Sequence, residues 1–174
     1  EPVFAAMTAK DLLPHQEAVV QAGIQRVRNG QDFLVQMPTG AGKTTTALMI
    51  LIRSGLAEVA LESAKYAFWL APTKELVQQA AISYQSLWAR HGNRNGYIYV
   101  AGQKSESEML PAGAVIFATY QAAAAWKAAG KTTAYGRNSA FVVLDEAHRA
   151  LAPTYQDAVV SLAEGGLKIG LTAT

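Results

Sequence analysis

The chain has 174 residues, 51% of them apolar, a formal net charge of +2 and no cysteine. That length fits one domain with a sizeable core. The lack of cysteine excludes disulfides, cysteine-held zinc and thiol catalysis. A charge near zero excludes a broadly basic nucleic-acid face, so any such contact must be local. The richest apolar stretch, Ala47 to Ile52, is far short of the ~18 residues of a spanning helix. The opening Glu1-Pro2-Val3 lacks the basic and apolar blocks of a secretory signal, so the expected location is cytoplasmic or nucleoid-associated, away from membranes.

In chain order, Pro14 stands like a first-turn proline, and Gly30 stops that helix about four turns later. Short apolar runs follow at Phe33-Met37, Tyr66-Ala71, Tyr97-Val100, Ala114-Thr119, Phe141-Leu144 and Lys168-Leu171. They are continuous rather than alternating, the pattern of strands buried on both faces of a parallel sheet. Thr73 can cap a helix reaching about Trp88, with Leu76, Val77, Ala80, Ala81, Tyr84 and Leu87 on one stripe. The alanine-rich stretch Gln121 to Gly130 reads as a short helix. Alternating strands and helices predict an α/β fold with a doubly wound, mostly parallel sheet, in which ligands bind beyond the carboxyl ends of the strands.

The motifs fall at those ends. The first strand runs into Pro38-Thr39-Gly40-Ala41-Gly42-Lys43-Thr44 and then a helix, which is a phosphate-binding loop in its required context. Gly40 and Gly42 let backbone N–H groups converge on phosphate oxygens, and the helix N-terminus adds partial positive charge. Lys43 can neutralise the β- and γ-phosphates and the Thr44 hydroxyl can bind magnesium. Thr39, Ala41 and Thr45 complete the expected nucleotide-binding set. Met37 stands where the strict pattern has glycine.

Phe141 to Leu144 ends in Asp145-Glu146-Ala147-His148. Of the two adjacent carboxylates, Asp145 would hold magnesium and Glu146 would orient and deprotonate water. Such a pair predicts hydrolysis rather than passive nucleotide binding; taken alone, the same acids could also open a capped helix. His15, His91 and His148 form no metal-ligand spacing. Trp69, Trp88 and Trp126 read as core or helix-face residues, and Arg90 to Gly96 as a solvated polar loop.

With these residues in place the chain resembles the first motor domain of superfamily 2 helicases and translocases, a RecA-like P-loop fold. Pro14-His15-Gln16 resembles the adenine-reading motif, Pro38 to Thr44 motif I, and Ala71-Pro72-Thr73-Lys74-Glu75-Leu76 motif Ia. Ala118-Thr119-Tyr120-Gln121 resembles the loop motif before the DEAH box, Asp145 to His148 motif II, and Leu171-Thr172-Ala173-Thr174 motif III. The string Asp145 to Ala150, with Thr154-Tyr155 downstream, is similar to restriction-enzyme motor subunits and DNA-repair helicases. The resemblance implies an ATP- and magnesium-dependent DNA helicase or translocase, duplex DNA being favoured over RNA. An RNA helicase, or a nucleotide-gated duplex sensor with little turnover, is the alternative.

The resemblance also implies residue roles. Gln16 would read adenine, or else be an exposed helix residue. Pro72, Thr73, Thr119 and Tyr120 would touch nucleic acid, although Thr73 could be a plain cap and Tyr120 core packing. His148, Thr172 and Thr174 would couple the nucleotide to the nucleic acid. A first residue other than Met and a last one directly after a motif suggest a piece of a longer protein, with residues 1–174 as the first motor domain. The second RecA-like domain, carrying the arginine finger, would lie outside this chain.

Overall fold

The structure is a computed structural model that describes residues 12–38, 42–91, 98–102 and 109–173. Its elements are α1 (Pro14–Arg28), β1 (Phe33–Gln36), α2 (Lys43–Arg53), α3 (Leu56–Glu62), β2 (Tyr66–Ala71) and α4 (Lys74–His91). There follow β3 (Ile98–Val100), β4 (Val115–Thr119), α5 (Tyr120–Ala128), α6 (Thr132–Arg137), β5 (Ser139–Leu144), a 3-10 turn (Ala147–Leu151), α7 (Pro153–Leu162) and β6 (Leu167–Thr172). Each expected strand forms, within a residue or two at its ends; Tyr97 lies outside the described residues. The sheet has six strands in the order β1-β6-β5-β2-β4-β3, and all five pairings are parallel.

The continuous apolar runs have a simple physical outcome. Successive side chains in a strand point to opposite faces, so each central run feeds two cores. Ala67, Trp69 and Ala71 of β2 pack with Val143 and Phe117 under α1 to α4. Phe68 and Leu70, from the same strand, pack with Val142, Ile116 and Trp126 under α5 to α7. Trp69 and Trp126 are fully buried and Trp88 nearly so. The edge strand β1 departs from burial on both faces. Its Leu34 is 57% exposed, and Leu151 and Val160 nearby are also exposed, because among the described residues α7 is the last cover on that side.

Local signals place the helix ends. Pro14 opens α1, and Gly30, at φ 65°, lies just past its end. Thr73 Oγ1 accepts from Leu76 N at 3.2 Å and caps α4, which runs past Trp88, so Arg90 belongs to its last turn rather than to a loop. Residues 92–96 of the expected polar loop lie outside the described residues. Thr119 caps α5 by accepting from Ala122 N at 3.1 Å. Among the described residues no single helix is long and apolar enough to cross a membrane.

Helices α6 and α7 meet at Gly136, where a Cβ atom would run into the backbone carbonyl oxygen of Ser161. Backbone cannot yield as a flexible side chain can. Gly136→Ala should therefore destabilise by about 1–3 kcal/mol, seen as a lowered urea midpoint with an unchanged slope.

Candidate active site

The strand order brings sequence-distant motifs to one edge. The phosphate loop leaves β1 and the acid pair leaves β5, with the end of β6 between them. Backbone stitches this edge together: Met37 N donates to Thr172 O at 3.0 Å, and Asp145 N donates to Leu70 O at 2.8 Å. Thr172 itself is buried beneath the site.

Gly42 opens α2 in the left-handed region, φ 79° and ψ 36°. A Cβ there would also collide with the Gln16 side-chain amide, so glycine is required twice over. Gln16 is buried rather than exposed, and its Oε1 accepts from Leu13 N at 2.9 Å. Gln16 thus packs against Gly42. Thr44 and Thr45 are half-buried on the first turn of α2. Met37 sits 2% exposed in the core below the loop, outside the positive-φ region, so nothing there demands the glycine of the strict pattern. Thr39, Gly40, Ala41 and Thr174 lie outside the described residues.

Lys43 reaches across the β6 end to both acids. Its Nζ lies 2.8 Å from Glu146 Oε1 and 3.4 Å from Asp145 Oδ1. Burial works against the Lys43 charge, but the Glu146 hydrogen bond and the two carboxylates outweigh it and raise its pKa. The Lys43 hydrogen bond holds Glu146 below the usual carboxylate range. Burial pushes Asp145 up, with Lys43 opposing. Asp145 Oδ1 is buried and has no hydrogen-bond partner among the described residues. A buried carboxylate oxygen that meets Lys43 only at ion-pair distance, among the described residues, suits a hard cation. Glu146 takes φ 53° and ψ 59°, a left-handed conformation rare for a residue with a side chain. His148 follows it, exposed on the 3-10 turn.

The other half of the edge forms a cleft of about 550 Å³. Ala71 and Thr119 are register partners on β2 and β4, which sets the N-termini of α4 and α5 side by side. Thr73 is exposed, and Pro72 and Thr119 are half-buried. Thr119, Lys74, Gln78 and Gln121 line the cleft, Gln78 being the one of them outside the motif strings. Lys74 and Gln78 stand four apart on α4, so the helical period following Thr73 carried that signal. Tyr120 is a correction. It is 1% exposed and its hydroxyl donates to Asp145 O at 2.7 Å, so its ring takes the core-packing alternative, and any nucleic-acid contact at this position would be through its backbone.

These geometries gain a family from comparison with known proteins. A family model described as type III restriction enzyme, res subunit, matches residues 9–174. The chain belongs to that family. It is a first motor domain of the superfamily 2 helicase type, as its solved neighbours also indicate. It is similar to the Pyrococcus furiosus Hef helicase domain, at 30% identity and a TM-score of 0.66 over 92% of this chain. It is also similar in fold to the RNA-helicase Prp28 from Chaetomium thermophilum bound to ADP, at 23% identity and a TM-score of 0.64, again over 92%. It spans 32% and 39% of those two chains. No curated protein sequence matches it. A parallel RecA-like sheet with helices on both faces is what this res-subunit chain shares with them.

The Lys43 ion pair sets a titration test. Lys43→Met should bring the Glu146 pKa up towards its ordinary 4.5 and push Asp145 further up. Because the folded Glu146 pKa is lowered, its contribution to stability is present above that ordinary value and lost as pH falls through the lowered one. The variant should lose this acid-side dependence. Carbon-13 NMR titration of the carboxylates reads both shifts.

Proposed function

We propose that this res-subunit motor domain hydrolyses ATP to drive movement along, or opening of, duplex DNA. The observation that carries the reading is the meeting of Lys43 with Asp145 and Glu146 above the end of β6. A lysine and two carboxylates from separate strands, converging at a glycine-opened helix N-terminus, suit phosphoryl transfer to water. ATP would sit with its phosphates over Gly42, Lys43 and Thr44, and Gln16 would meet its base. Asp145 and Thr44 oxygens would hold a magnesium ion, which supplies charge neutralisation at the phosphates. Lys43 neutralises charge developing on the transferring group. Glu146 accepts the proton of the attacking water, which its exposure and ionised state allow.

Three further features belong to the same reading. His148 and Thr172, close to the acid pair in chain and sheet order, would report the nucleotide's state to the nucleic acid, together with Thr174. An arginine on a second RecA-like domain would complete the transition-state charge, a contribution of roughly 10³–10⁵ in rate for such fingers. Duplex DNA is favoured over RNA by the res-subunit family and by Thr172-Ala173-Thr174, where RNA helicases of the DEAD type usually carry Ser-Ala-Thr.

Lys43→Ala in the full-length protein should abolish hydrolysis and weaken nucleotide binding. Glu146→Gln, nearly isosteric, should bind ATP and not turn it over. A steady-state ATPase assay with and without DNA, joined to calorimetric ATP binding, separates the two effects. Normal turnover in either variant would overturn the site assignment.

The cleft is the proposed phosphate track. Backbone amides at the α4 and α5 N-termini, with Lys74, can hold a few phosphates without a basic stripe. Binding should be independent of sequence, with log affinity falling against log salt by a slope of roughly 1–3, at about 0.9 per neutralised phosphate. Thr73→Asp places a negative charge on the track and should weaken unrelated DNA sequences equally. Titrations at two salt concentrations on two sequences measure this; a steep slope or an undiminished affinity would count against the track.

A further inference from the structure

Tyr120 stands between the two halves of the site. Its chain neighbours Thr119 and Gln121 line the cleft, yet its own ring turns inward at 1% exposure. The ring stacks on Tyr155 of α7, with centroids 5.6 Å apart and planes 23° apart. The hydroxyl donates to the backbone carbonyl of Asp145 at 2.7 Å. That carbonyl belongs to the peptide joining Asp145 to Glu146, so anchoring it restrains the φ of Glu146. Glu146 occupies φ 53° and ψ 59°, and from there its carboxylate meets Lys43 at 2.8 Å. The peptide is gripped on both sides, since Asp145 N donates to Leu70 O and Glu146 O accepts from Arg149 N, each at 2.8 Å. Left-handed residues with side chains persist only where their surroundings hold them.

We propose that Tyr120 is a positioning residue: through its bond to the Asp145 carbonyl it holds Glu146 in its working conformation and ties the α5 N-terminus at the cleft to the acid pair. A shift of α5 on the cleft side is then felt at the water-activating carboxylate, with no side chain needed to span the distance between the two sites. The proposal rests on the function given above.

Tyr120→Phe in the intact protein removes the hydroxyl and keeps the ring stack. Loss of one such bond corresponds to roughly a 2- to 12-fold effect. By hydrogen exchange, the amides of Glu146 and Ala147 should exchange about fivefold faster. DNA-stimulated kcat should fall about fivefold, while the KM for ATP and the affinity for DNA stay within about twofold. Unchanged exchange overturns the proposal whether or not the protein hydrolyses ATP. Faster exchange with an unaltered kcat also overturns it, leaving Tyr120 a packing residue alone. A wild-type protein that hydrolyses no ATP would instead remove the function above, and the exchange result would still decide whether Tyr120 holds this peptide.

Discussion

One cation between two carboxylates organises the site. Lys43 comes from the helix after β1, and Asp145 and Glu146 come from the end of β5. These residues are about a hundred positions apart, and β6 fills the space between their strands. The contact therefore depends on the whole right half of the sheet being in register. Burial opposes charge on Lys43 and on Asp145; Glu146 and Asp145 together outweigh it at Lys43, while Lys43 offsets only part of it at Asp145. Glu146, more exposed, needs less help and is drawn below its usual range.

The fold around that contact divides labour between its faces. Strand residues alternate between a core under α1 to α4 and a second one under α5 to α7. Both cores end below the same carboxyl edge, so the functional groups stand on a rigid floor. This rigidity matters because a lysine amine misplaced by an ångström no longer meets its partners. It also lets the two halves communicate. Tyr120, packed in the second core, touches the acid pair from below, while Thr119 beside it opens to the cleft.

Belonging to the res-subunit family constrains the reading more than the fold does, because RecA-like sheets serve many chemistries. The likeness to a solved helicase at 23% identity conveys architecture only. What makes the chemistry specific is the set of side chains at the edge: a lysine, two acids with opposed pKa shifts, and a glutamine laid against a left-handed glycine. Opposed shifts in adjacent carboxylates, one buried and the other half-exposed, fit the separate roles proposed for them.

What the sequence determined by itself was whatever depends on neighbours along the chain. Continuous apolar runs declared buried parallel strands, Thr73 declared a cap, and Gly42 declared a left-handed helix start. Each is a short-range consequence of backbone sterics, capping or side-chain period. What only the tertiary structure decided was which way a side chain faces once elements pack. Tyr120 looked like a rim residue because it follows Thr119, but the helix period turns it into the core. Leu34 lies in an apolar run, yet its strand is at the sheet edge and it stays exposed. Lys74 and Gln121 sit inside motif strings and Gln78 in none, and the three share one cleft only because β2 and β4 are neighbours. Strand order is written in long-range contacts, and no local pattern encodes it.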